Sequence, residues 1–187
     1  MRSSDAATTR FYDLIWPHRD TVLRTARFLT RDVFAADDLA QETMLKAFRS
    51  LDQFKEGTNV RAWLLSILRN ARIDRARADK LRPAGVSLDA LPVDLEAEPV
   101  TPDSADWSDA DALLDKFADA DIIAALQELP DDIRWTLLLV DVEGLDQADA
   151  AKVLDVPVGT VKSRTHRGRR MLRDVLLPQA RAMGLMK

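Results

Sequence analysis

The residues of this chain best placed to do chemistry are cations and hydrogen-bond donors at helical spacing, and the chemistry they fit is the holding of nucleic acid. Along Arg61–Arg77, at about 100° per residue, Arg61, Arg69, Arg72 and Arg75 fall within roughly a third of a helix circumference. They lie beside an apolar stripe of Trp63, Leu64, Ile67, Leu68 and Ala71. Nearer the C-terminal end, Ser163, His166, Arg167 and Arg170 share one side of a second helix, with Val161, Thr165, Gly168 and Leu172 on the other. Packing residues behind and donors in front is the division a helix needs to read a major groove. An ordinary solvated basic helix has the same pattern, but two such patches, each with a defined buried side, weigh toward nucleic acid. Covalent catalysis has no comparable support: no nucleophile–base pair and no phosphate loop is visible. There is no cysteine, and the two histidines, His18 and His166, lie far apart, which removes thiolate and histidine-rich metal sites. No calcium-loop spacing occurs, and no cofactor is expected.

The elements that position these residues are all helical. Thr9–Thr30 reads as a helix pair or one bent helix, with Pro17 as the break. The next helix carries Ala40, Met44, Ala47, Phe48 and Leu51 on its apolar face, with Asp37 and Asp38 expected in its first turn to complement the helix dipole. That burial leaves Asp38, Gln41, Glu42 and Leu45 together on another face. Phe54–Asn59 is a turn in which Gly57 permits positive φ and Thr58 or Asn59 caps the Arg61 helix. Periodicity fails after Arg77. A second helical unit has its clear part at Ile122–Leu129, stopped by Pro130; Asp131 or Asp132 then caps Ile133–Val142, ended by Gly144. Asp146 caps a short helix to Leu154, Asp155-Val156 turns, and Pro157 suits the first turn of the following helix, so this last third is a helix-turn-helix pattern.

The 187 residues carry a net charge of −4, which conceals an uneven distribution. Residues 79–121 hold twelve acids and three bases, a net of −9, so the remainder is about +5. With four prolines between 83 and 102, this acidic stretch reads as an extended linker without a core of its own. The expected fold is all-α: small helical domains over 8–78 and 119–180, joined by an acidic flexible linker over 79–118, the second domain containing the helix-turn-helix. No apolar run approaches the ~20 residues that span a bilayer. No secretory signal is apparent in the opening residues, so no membrane insertion is expected and the setting reads as cytoplasmic.

Two blocks of residues resemble a known family. Asp37-Asp38-Leu39-Ala40-Gln41-Glu42-Thr43, Phe48-Arg49-Ser50-Leu51-Asp52-Gln53-Phe54, Ala62-Trp63-Leu64, Asn70 and Ile73-Asp74 form the first. Leu126-Gln127-Glu128-Leu129-Pro130, Gly144-Leu145 and Val156-Pro157-Val158-Gly159-Thr160-Val161-Lys162-Ser163-Arg164 form the second. In this order, with a variable linker between, they resemble the sigma-70 family of bacterial transcription initiation factors, specifically its compact extracytoplasmic-function (ECF) group. The helix before the turn departs from the group's usual wording, with Asp146-Gln147-Ala148-Asp149-Ala150 in place of a serine-aromatic-glutamate-isoleucine pattern, and Asp155 stands where glycine or asparagine is frequent.

The resemblance implies a division of labour. Asp38, Gln41, Glu42 and Leu45 would dock on core RNA polymerase. Asn59, Arg61, Trp63, Arg69, Asn70 and Arg72 would melt and hold the minus-ten promoter element, although Trp63 at its spacing also fits a core position. Lys162, Ser163, Arg164, His166, Arg167 and Arg170 would bind the minus-thirty-five element as duplex DNA, with Arg167 placed for a guanine and Arg164 and Arg170 for phosphates. An anti-sigma protein is implied as a further partner. The alternative from another class is a sigma-like decoy that binds an anti-sigma protein without recognising DNA.

Overall fold

The computed structural model describes residues 2–30, 32–81 and 119–182. Among the described residues every regular element is a helix. The N-terminal unit comprises α1 (Arg2–Leu14), a 3₁₀ turn at Trp16–His18, α2 (Arg19–Leu29), α3 (Val33–Arg49), a second 3₁₀ turn at Leu51–Gln53, and α4 (Val60–Leu81). Pro17 lies in the first 3₁₀ turn and separates α1 from α2, as its missing amide requires. Helix α3 packs between α2 and α4, burying Val22, Leu39, Leu64, Leu65 and Leu68 almost completely. Each contributes on the order of 1.5–3 kcal/mol of hydrophobic free energy.

Several local expectations shift by a turn. Helix α3 starts at Val33, and its cap is Asp32, whose carboxylate accepts from the Phe34 amide at 2.8 Å. Asp37 and Asp38 therefore lie one turn further in, away from the unpaired amides they were expected to serve. The stripe of α3 also takes in Leu39 and Thr43. Thr43 tolerates burial because its hydroxyl donates to the Leu39 carbonyl at 2.7 Å. Phe48 stays 42% exposed, edge-on to Phe11 with ring centroids 5.2 Å apart. The turn into α4 follows expectation: Gly57 has φ +82°, and the Asn59 side-chain oxygen accepts from the amides of Arg61 and Ala62.

The C-terminal unit comprises α5 (Asp119–Gln127), α6 (Asp131–Leu137) continued by a π-helical turn at Leu138–Val142, α7 (Gln147–Leu154) and α8 (Val158–Ala182). Pro130 occupies the cap position of α6, so Asp131 and Asp132 sit inside its first turn rather than capping it. The carbonyls at and just beyond the end of α5 are gathered by Arg134, which donates to Leu126, Gln127 and Leu129 at 2.7–2.9 Å. Gly144, at φ +63°, closes the π turn. Asp146 caps α7 through the Asp149 amide at 2.7 Å. Asp155 takes the left-handed conformation at φ +56° that the turn of the helix-turn-helix demands, one that a short polar side chain tolerates at modest cost. Pro157 precedes α8, its carbonyl accepting from the amides of Thr160 and Val161. Beyond Leu81, the stretch expected to be an acidic linker lies outside the described residues as far as Ala118.

The two units pack on each other, α4 against α7 and α2 against α5. Their apolar interiors form one continuous cluster running from Phe11 to Val161.

Candidate nucleic-acid interface

Helix α8 divides as its periodicity predicts. Val161, Thr165 and Gly168 are buried, while Lys162, Arg167 and Arg170 are exposed and Ser163 and His166 half-exposed. Gly168 is what lets α8 approach α6 closely: a Cβ there would lie 2.6 Å from Ile133 Cγ2. The resulting surface carries three free-standing cationic side chains at the N-terminal half of a helix braced from behind, the geometry for inserting side chains into a groove while holding register. Arg164 is engaged differently. It pairs with Asp132 at 3.1 Å and ties α8 to α6.

The α3 surface is also largely as expected. Asp38, Gln41 and Leu45 are exposed, Leu45 at 57%. Glu42 is half-buried, bonded to Lys46 at 3.0 Å and to Arg75 at 2.7 Å. Burial alone would raise its carboxyl, but the hydrogen bonds from Lys46 and Arg75 outweigh it and hold it below the ordinary carboxylate range. Glu42 thus anchors α3 to α4 as well as bordering the exposed face.

Of the residues expected at the minus-ten element, Arg61, Arg69 and Arg72 share one side of α4 with Asn59 at its start, and the C-terminal unit covers much of that side, while Trp63 and Asn70 lie roughly opposite. Asn59 donates to Asp149 at 3.0 Å, Arg61 donates to the Glu143 carbonyl at 3.1 Å, and Arg72 donates to Asp131 at 2.6 Å. Arg69 is half-buried with Asp155, Arg164 and Asp131 nearby, and burial pushes its guanidinium below the usual value. Trp63 is half-buried, its ring 5.2 Å from that of Phe54, so its first role is packing. Asn70 is exposed. Arg75 points to α3 rather than to this face.

Sequence periodicity misses the residues that create this arrangement. Glu143 is buried, and its carboxylate receives the fork of Arg24 at 2.8–3.1 Å together with the Thr25 hydroxyl at 3.1 Å. These partners are separated by more than a hundred residues. In the sequence, Glu143 is only an acid before a helix-ending glycine, with no local sign of its burial.

Among the described residues no group of three or more His, Cys, Asp or Glu side chains is placed to hold a metal ion. No helix among them is long and apolar enough to cross a membrane.

Fold and surface together define a two-unit helical protein with a helix-turn-helix and a second basic helix. The sigma-70 region 2 profile matches residues 14–82, and the sigma-70 region 4 profile matches residues 119–172. The chain is 36% identical over 171 residues to the ECF RNA polymerase sigma factor SigE of Mycolicibacterium smegmatis, covering 91% of this chain and 63% of that protein's length. To the ECF sigma factor SigW of Bacillus subtilis it is 29% identical over 172 residues, covering 89% of this chain and 88% of SigW. Its structure is similar to that of the sigma factor RpoE in complex with the anti-sigma factor NepR from Bartonella quintana, with a TM-score of 0.67 and 27% identity, covering 89% and 96% of the two chains. The chain belongs to the sigma-70 family, in its ECF group, and is a transcription initiation factor rather than an enzyme.

Proposed function

We propose that this chain is a promoter-specificity subunit whose three surfaces work in sequence. The exposed side of α3, with Asp38, Gln41, Glu42 and Leu45, docks on core RNA polymerase in the cytoplasm. The exposed side of α8, with Lys162, Ser163, His166 and Arg167, reads the minus-thirty-five duplex, and Arg170 and Arg164 serve its phosphates. Once the upstream element is held, Asn59, Arg61, Trp63, Arg69, Asn70 and Arg72 take the minus-ten strand: cations track the backbone and an amide bonds the edge of an unstacked base. Unstacking costs a few kcal/mol per base, so it depends on the anchorage that polymerase and the upstream duplex supply.

The observation that carries this reading is the split of α8, with Val161, Thr165 and Gly168 buried against α6 and Lys162, Arg167 and Arg170 left exposed. By likeness to the sigma factor in complex with NepR, and to CnrH in complex with the cytosolic domain of CnrY (TM-score 0.62, 25% identity), an anti-sigma protein is a further partner. Run-off transcription with purified core polymerase on a promoter library tests the reading. Transcripts that require this chain and share two upstream sequence blocks are expected. Binding to core without any chain-dependent transcript would overturn it in favour of a decoy.

A further inference from the structure

Helix α8 is held to α6 along both flanks as well as along its buried stripe. At about 100° per residue, Val161, Thr165, Gly168 and Leu172 fall within roughly 60° of the circumference, and Arg164 and Arg169 lie about 70° to either side of their centre. Each of these arginines is paired. Arg164 Nε stands 3.1 Å from Asp132 in the first turn of α6. Arg169 forks onto Asp141 in the π turn, Nη2 donating at 2.6 Å and Nε at 3.1 Å. The π turn puts that acceptor in place. Its wide winding is marked by the Glu143 amide, which donates to the Leu138 carbonyl five residues back at 2.9 Å. Such a turn advances fewer degrees per residue than an α turn. Asp141, four residues after Leu137, is thereby kept on the side where Ile133 and Leu137 meet Gly168.

We propose that Arg169 is a positioning residue for the minus-thirty-five element: its fork on Asp141, opposed by the Arg164–Asp132 pair on the other flank, fixes the roll of α8 about its own axis. This rests on the assignment of α8 to that duplex, and it adds what aims the helix. Apolar burial sets how closely α8 approaches α6, but it is non-directional, and a stripe as small as Thr165 and Gly168 resists rolling weakly. A roll of about 20° carries an atom about 6 Å from the axis by roughly 2 Å. Groups that read a ligand must be held within about 0.5 Å, so the flanks decide whether Arg167 meets a base edge squarely. Arg169 itself does not read. Ser163, His166, Arg167 and Arg170 centre about 110° further round the helix.

Purified holoenzyme is titrated with two fluorescent duplexes that differ only in the upstream block recovered from the run-off library, one intact and one scrambled. The ratio of their dissociation constants is the preference. The pair is weakened from both sides, by Asp141→Asn and by Arg169→Lys, which keeps the charge and loses the fork. Its side chains are 36% and 27% exposed, and a pair of that exposure is worth up to about fivefold in an equilibrium. Each variant should therefore lower the preference about two- to fivefold, by weakening the intact duplex alone. Asp141→Asn separates aim from charge, because loss of an acid near DNA would by charge alone tighten both duplexes. An unchanged preference in both variants overturns the proposal, including the case in which Arg169→Lys weakens both duplexes equally, as a phosphate contact would. The roll is also read without DNA. The chain has no cysteine, and spin labels at the exposed positions Glu128→Cys, just before α6, and Asp174→Cys, on α8, give a distance distribution that should broaden in Asp141→Asn. A distribution as narrow as that of the parent chain overturns the restraint. If wild-type holoenzyme shows no preference between the duplexes, the assignment of α8 to the minus-thirty-five element fails, and the distance distribution still decides whether the pair holds the helix.

Discussion

Gly168→Ala probes how closely α8 must sit on α6. In the structure an added Cβ meets Ile133 Cγ2 at 2.6 Å and Leu137 Cδ1 and Cγ at 3.0 Å. Carbon atoms pack best at about 3.5–4.0 Å, so the first contact is roughly 1 Å too short. Ile133 and Leu137 are 2% and 1% exposed, and neither can swing into solvent. Either α8 lifts from α6 or both side chains leave their rotamers, an overpacking cost of about 1–3 kcal/mol. Replacing a helical glycine returns about 0.5–1 kcal/mol. The net expectation is a destabilisation of about 0–2.5 kcal/mol, and the sharper measure is a comparison with Gly159→Ala, where a Cβ meets nothing within 4 Å. Much of the propensity gain is common to both variants, so Gly168→Ala should be less stable than Gly159→Ala by about 1–3 kcal/mol. Thermal unfolding followed by circular dichroism resolves this, since each kcal/mol shifts the midpoint by about 2–4 °C in a chain of this size. If Gly168→Ala melts at or above Gly159→Ala, the close α6–α8 approach is wrong.

Asp38→Lys should weaken binding to purified core polymerase about tenfold with thermal stability unchanged, because Asp38 is exposed while Glu42 also ties α3 to α4; unaltered affinity would remove Asp38 from the docking face. Arg167→Ala should cost specific upstream-duplex binding about 1–3 kcal/mol and non-specific binding much less, whereas an equal loss on all sequences would make Arg167 a phosphate contact. His18 is held below its ordinary value of 6.5, first by burial and then by the Arg61 charge. Its folded-state pKa is therefore the lower one, and the unfolded chain takes up the proton first as pH falls. Stability should drop as pH is lowered from 6.5 toward the folded value, and His18→Gln should flatten that part of a urea-midpoint-against-pH curve. An imidazole that titrates at or above 6.5 by NMR would contradict the placement.

What the sequence by itself determined is what a few neighbouring residues settle together. Gly57 and Gly144 take positive φ because their turns require it, and Asp155 does the same at a position that local side-chain chemistry tolerates. Asn59 and Asp146 cap their helices with oxygens two or three residues from the amides they serve. The inward and outward sides of α8 follow from a period of 3.6 residues alone. Small errors arose where two local solutions competed, as with Asp32 taking the cap of α3 from the acids that follow it, or Pro130 leaving Asp131 inside α6.

Only the tertiary structure decided which polar groups face each other across the two units. The Glu143 carboxylate is buried where Arg24 and Thr25, more than a hundred residues away in sequence, donate to it. A carboxylate there would be costly without those donors and is stable with them. The basic face of α4 carries the residue types its spacing promised, yet Asp131 and Asp149 lie on it. Periodicity fixes the direction in which a side chain points from its own helix. What waits in that direction depends on how separate helices dock, and that is set by their joint packing rather than by any one stretch of chain.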